Sequence, residues 1–143
     1  MRDHDYGAVA DFLAAFFGET TEHAVEIRAL PQEHGAGPNR PLFTRDAELV
    51  QAHCIRWDGP GRAVYFGVAT RLNGAPQGRR EDLAELGALW VDIDLYKHGL
   101  DQGEVVAALC TQLLLPPSVI VNSGGGLHAY WLLNEAIDIH VAT

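Results

Sequence analysis

The stretch VIVNSGGGLHAYWLL, residues 119–133, places an apolar run on either side of three consecutive glycines. Two such runs joined by a short glycine-rich link read as strands of a β-hairpin. Side chains alternate along a strand, so His128 and Tyr130 share one face while Leu127, Ala129 and Trp131 share the other. The link contains Asn122, Ser123, Gly124, Gly125 and Gly126. Glycine admits positive φ and lets a ligand approach the backbone closely. Successive N–H groups in such a turn form a nest for an anion. Ser123 adds a hydroxyl and His128 a further donor, which makes the loop a candidate phosphate site. The same residues also make a plain hairpin turn with a surface histidine, and the loop alone does not separate the two. No Lys-Ser/Thr pair follows the glycines, so this is not a P-loop. GGGLHA fits G-x-G-x-x-A, but the next residues alternate like a strand where a dinucleotide fold would open a helix.

Upstream, GALWVDIDLY (residues 87–96) reads as an apolar strand with acids embedded in it. Asp92 and Asp94 are two apart, so both carboxylates project from one strand face. Two like charges on an apolar strand repel each other and resist desolvation. A divalent cation relieves both, and hard oxygen ligands suit Mg²⁺ or Mn²⁺. The competing reading is a pair at a solvated strand end beside Tyr96 and Lys97.

Between these two strands, residues 101–115 read as a helix, with Asp101 and Glu104 at capping-box spacing and Pro116-Pro117 ending it. Before them, residues 6–17 read as a helix facing its core with Val9, Phe12, Leu13 and Phe16, and Gly18 is its C-cap. Residues 23–30 read as a strand ending at Pro31, and 32–41 as a loop. Residues 52–57 and 62–71 read as a strand hairpin about the turn at 58–61. Residues 72–82 form a long polar loop, and 134–143 carry no obvious terminating structure. Strands, a helical crossover and a closing hairpin predict an α+β fold, a sheet with helices packed on one face.

The chain has 143 residues, 48% hydrophobic and 20% charged, which suits one globular domain with a real core. No apolar run reaches membrane-spanning length, and the N-terminus lacks a signal-peptide layout. Cys54 and Cys110 form no CxxC, so reduced core thiols in a cytoplasmic protein are expected. A formal net charge of −9 argues against broad, non-specific nucleic-acid binding through this segment alone. Arg28, Arg71, Arg79 and Arg80 read as solvated surface cations, any of which could hold a phosphate. His53 beside Cys54 lacks the second pair that a zinc site needs. Trp57, Trp90 and Trp131 read as core or core-edge residues. No Ser-His-Asp arrangement can be assembled that also explains the aspartate pair.

An apolar strand with D-x-D, then a helix, then a hairpin reading S-G-G-G-L-H resembles the archaeo-eukaryotic primase superfamily. In particular it resembles the primase-polymerase domains of phage and plasmid replication proteins. VEIRAL and YFGVATR also resemble the segments that precede the acidic strand in that group, so the likeness runs from about residue 23 to residue 134. It implies an RRM-like catalytic sheet beside an N-terminal α/β unit, with residues 1–143 the N-terminal part of one such catalytic domain. Asp92 and Asp94 would hold the catalytic Mg²⁺ or Mn²⁺. Ser123, Gly124, Gly125, Gly126 and His128 would bind the phosphates of the incoming nucleotide. The implied activity is primer synthesis from NTPs or dNTPs on a DNA template in replication of a mobile element. A helicase module in the same or another chain is the implied partner.

The family carries a third acid on a later strand. Asp138, in AIDIH, follows an apolar residue as that motif requires, but comes too soon after the hairpin. The third acid is therefore expected beyond residue 143, and the chain alone is expected to make primers inefficiently. Two other functions stay open: a catalytically inactive, nucleotide-binding remnant, and a metal-dependent phosphohydrolase.

Overall fold

The computed structural model describes residues 5–18, 20, 23–59, 61–73 and 79–140. Pro60 of the expected turn, residues 74–78 of the polar loop and the tail residues 141–143 lie outside them. The fold is α+β, as expected. The strands form two sheets, and the chain divides into two compact units, Met1–Gly87 with Glu135–Thr143, and Ala88–Asn134.

In the first unit, a three-stranded antiparallel sheet has the order β2-β1-β3, from β1 (Val25–Pro31), β2 (Arg40–Thr44) and β3 (Arg62–Phe66). Helix α1 (Val9–Phe17) buries Leu13, Phe16 and Phe17. The rings of Phe12, Phe16 and Phe17 lie 4.9, 5.0 and 6.2 Å from that of Phe66 on β3. Each buried side chain of this kind contributes about 2 kcal/mol through removal from water. Val25, Ile27 and Ala29 of β1 are buried as well.

Helix α2 (Ala47–Trp57) replaces the strand expected at 52–57. Asp46 caps it, accepting from the amides of Glu48 and Leu49. Val50 is its buried residue, with Cys54 and Trp57 half-buried at helical spacing from it. A six-residue window is too short to show that period, and the cap lies upstream of it. The expected hairpin therefore does not form, and β3 pairs with β1. Strand β2 begins within the expected loop. Its Pro41 is tolerated because β2 is an edge strand.

Strand β4 (Ala69–Arg71) pairs antiparallel with β5 (Leu83–Ile93). Arg28 and Arg71 are not solvated cations. Both bond the carboxylate of Glu26, which is 2% exposed. Arg71 also donates to the carbonyl of Arg79 at 2.6 Å. Burial lowers the Arg71 pKa.

In the second unit β5 runs to Ile93, followed by the one-turn helix α3 (Leu95–His98) and by α4 (Gln102–Thr111). The hairpin is present as β6 (Val119–Asn122) and β7 (Leu127–Asp138), in the register Val121↔His128 and Asn122↔Leu127. The four-stranded sheet has the order β4-β5-β7-β6. Strand β7 continues through Asp138, so this acid lies on the hairpin strand itself rather than on a later one. Helix α4 stops short of the leucines at 113–115, and Leu114 is 98% exposed. Trp90 is also exposed, at 53%, against the core role expected of it. Cys110 is exposed, whereas Cys54 is half-buried and burial pushes its thiol pKa up.

Candidate functional site

The acidic strand ends at Ile93, three residues sooner than expected. Asp94 accepts from the amide of Lys97 at 3.0 Å and caps α3, and Gly99 closes that turn in the left-handed conformation. Asp92 remains on β5, with 71% of its side chain exposed. Asp94 sits just past the strand with an extended backbone.

The glycine loop is built by its own side chains and amides. Asn122 Oδ1 accepts from Gly124 N at 2.8 Å, and Ser123 N donates to Gly126 O at 3.0 Å. Two amides expected to face an anion are thus engaged within the loop. Gly124 has φ +94°, where a side chain would be strained. Gly126 needs to be bare for a different reason. A Cβ there would lie 2.2 Å from the carbonyl oxygen of Ile93. Gly125 meets nothing within 4 Å, so the fold does not explain its lack of a side chain.

These contacts bring the two motifs together. Gly126 packs on the backbone of Ile93 and Asp94, and Gly125 O accepts from Tyr96 N at 3.3 Å. His128 Nε2 lies 3.5 Å from Asp92 Oδ1. Sequence reasoning missed Tyr130 as a member of this group. Its hydroxyl is 3.4 Å from His128 Nδ1, and the residue is 3% exposed. The signal was its two-residue spacing from His128. Burial, and then the charge of Asp92, raises the Tyr130 pKa. Ser123 is exposed, and its hydroxyl makes no hydrogen bond among the described residues.

A cavity of about 360 Å³ borders the loop, formed by Leu95, Tyr96, Gly99, Leu100 and Gln102 with the three glycines. Its size suits a small ligand. Asp92, Asp94, Ser123 and His128 do not line it.

The donor set fits a hard divalent cation. Asp92 is accessible, and Asp94 keeps a second carboxylate oxygen beyond the one that caps α3. Among the described residues no group of three or more His, Cys, Asp or Glu is arranged to hold a metal. Two protein carboxylates, completed by water and phosphate, match the usual Mg²⁺ pattern. Asp138 joins no such group.

Other singled-out residues have structural roles. His53 Nε2 lies 2.9 Å from the carbonyl of Arg40, and the Trp131 indole N–H donates to Leu115 O at 2.8 Å. No helix among the described residues is long and apolar enough to cross a membrane.

No protein-family model and no solved structure matches the chain. A replication protein from Clostridium perfringens is 32% identical over 63 residues, covering 41% of this chain. The match spans 16% of that relative's length. The likeness to the primase superfamily rests on the motifs.

Proposed function

We propose that the chain acts in DNA replication and that its second unit carries a metal-dependent nucleotidyl-transfer site of the primase-polymerase kind. The observation that carries this reading is the meeting of the two motifs. The carboxylate of Asp92 and the imidazole of His128 lie 3.5 Å apart, beside a glycine loop packed against the end of the acidic strand. The similarity to a replication protein supports the setting.

Asp92 and Asp94 would hold Mg²⁺ or Mn²⁺. When bound, the metal would activate the attacking 3′-hydroxyl and stabilise the leaving pyrophosphate. With Tyr130 O–H donating to Nδ1, the proton of His128 sits on Nε2, which becomes a donor to a phosphate oxygen. Tyr130 is then a positioning residue that holds the ring and its tautomer. The free hydroxyl of Ser123 is a second donor, and the bare Gly125 leaves room for a triphosphate against the backbone. NTPs or dNTPs are the substrates and a DNA strand the template, with a helicase module as the expected companion.

A second reading, a nucleotide-binding module without catalysis, is favoured by one observation. Asp94 already serves as a helix cap, and no third acid joins the pair among the described residues. Incubation with single-stranded DNA, Mn²⁺ and nucleoside triphosphates tests the readings. Primer growth with pyrophosphate release is expected for nucleotidyl transfer. Phosphate release without growth would indicate a phosphohydrolase. Mn²⁺-dependent nucleotide binding without turnover would indicate the binding module. Absence of nucleotide binding would overturn the site.

A further inference from the structure

The first unit holds an arginine cluster that the nucleotide site does not use. The guanidinium carbons of Arg40, Arg56 and Arg62 lie 4.7, 4.9 and 5.3 Å from the ring centre of Trp57. Three elements build it. Arg40 opens β2, Arg62 opens β3, and Arg56 and Trp57 end α2.

The three do not have the same freedom. Arg62 donates to the carbonyls of Ala29 at 3.2 Å and Pro38 at 2.9 Å, and also to that of Ala36. It is a fixed floor. Arg40 and Arg56 are exposed, and among the described residues neither guanidinium has a carboxylate or carbonyl partner. Asp58, next to Trp57, accepts from the Tyr6 hydroxyl at 3.2 Å.

This arrangement is unexpected in a chain with 19 acidic and 10 Lys or Arg residues. Acids are abundant, yet among the described residues none forms an ion pair with these three cations. The Trp57 ring offsets part of their mutual repulsion through cation–π attraction. The Arg56 charge also suits the C-terminus of α2. The helix terminus does not account for Arg40, whose contact here is the Trp57 ring. An external anion accounts for both exposed guanidiniums, whose planar forks match phosphate oxygens. A positively charged groove that tracks the phosphodiester backbone is part of how single strands are held without sequence preference.

We propose that Arg40, Arg56 and Trp57 form a contact surface for single-stranded nucleic acid, gripping its phosphodiester backbone. Two phosphates are engaged, one by each exposed guanidinium, while Arg62 keeps the platform in place. The surface is local and the chain as a whole is acidic, so binding is weak at high salt. This inference does not depend on the metal site.

Fluorescence anisotropy of a labelled oligothymidylate, titrated with the full chain over a range of salt, tests it. For single strands the slope of log K against log salt is about −0.7 per phosphate engaged. Replacing both residues (Arg40→Gln with Arg56→Gln) is expected to weaken binding at least tenfold and to make the slope shallower by roughly 1.4. Circular dichroism confirms that the variant folds. Should it fail to fold, Arg56→Gln alone replaces it, with half that change in slope expected. Unchanged affinity and slope in a folded variant would overturn the proposal. So would competition by polyglutamate or inorganic phosphate as effective as competition by unlabelled oligonucleotide, because the surface would then be a general anion site.

Discussion

In Met1–Gly87 with Glu135–Thr143, large side chains such as Leu13, Phe16, Phe17, Val25, Ile27 and Val50 are buried. In Ala88–Asn134, Leu89, Trp90, Val91, Tyr96, Leu114 and Leu115 are exposed, and the buried set is Ala88, Leu95, Leu127, Ala129 and Tyr130. The first unit is held by an aromatic core. The second buries Leu127 and Tyr130 and adds close backbone approach, such as Gly126 against Ile93, and hydrogen bonds of its loop and helix caps. The difference teaches where substitutions should be felt. Most of the large buried side chains lie in the first unit and the candidate chemistry in the second.

The largest effect should come from the aromatic core. Phe17→Ala removes a ring that is 1% exposed and should cost about 3–5 kcal/mol in urea unfolding. Leu114→Ala, at a side chain 98% exposed, should stay within about 0.5 kcal/mol. Equal losses for the two would contradict the burial of Phe17 and the exposure of Leu114.

Within the second unit, Gly126→Ala forces a Cβ onto the Ile93 carbonyl, at 2.2 Å, and should cost about 2 kcal/mol. It should also disturb the Asp92–Asp94 segment. Gly125→Ala adds a Cβ into open space and should leave the unfolding midpoint unchanged. If Gly125→Ala nonetheless weakens triphosphate binding, the bare backbone serves the ligand rather than the fold. His128→Ala should lower triphosphate affinity by about tenfold or more, the loss of one hydrogen bond to a charged group. Unchanged affinity by calorimetry in a folded variant would leave the loop a simple turn.

The smallest effect concerns pH. Burial and the Asp92 charge raise the Tyr130 pKa above its ordinary 10.0, so the fold favours the neutral hydroxyl. That contribution is full below the unfolded value and is lost as pH rises through it toward the folded one. Thermal midpoints compared at about pH 9 and about pH 11 should fall further for wild type than for Tyr130→Phe. An equal fall would remove Tyr130 from the account.

The α+β class, the hairpin around the glycines and the helix between the motifs were legible because period-two alternation, Gly-rich turns and caps are local signals. Helix α2 was not, because its cap at Asp46 and its buried Val50 fell outside the short run that looked like a strand. Strand β2 was hidden by Pro41, which only an edge position allows. Asp92, the glycines and His128 were named from sequence, and the structure brings them together. The cap role of Asp94, the engaged loop amides and the Tyr130 contact depend on tertiary geometry. So does the Glu26 pair with Arg28 and Arg71, drawn from strands β1 and β4.

Manganese calorimetry in the presence of a nucleoside triphosphate tests the central claim most directly, comparing wild type with the Asp92→Asn, Asp94→Asn double variant. The carboxylates are proposed to hold the metal and the metal the phosphates. Wild type should therefore bind Mn²⁺ and bind the triphosphate more tightly with it, and the variant should do neither while keeping its circular dichroism. Equal Mn²⁺ affinity in the two proteins would contradict the account.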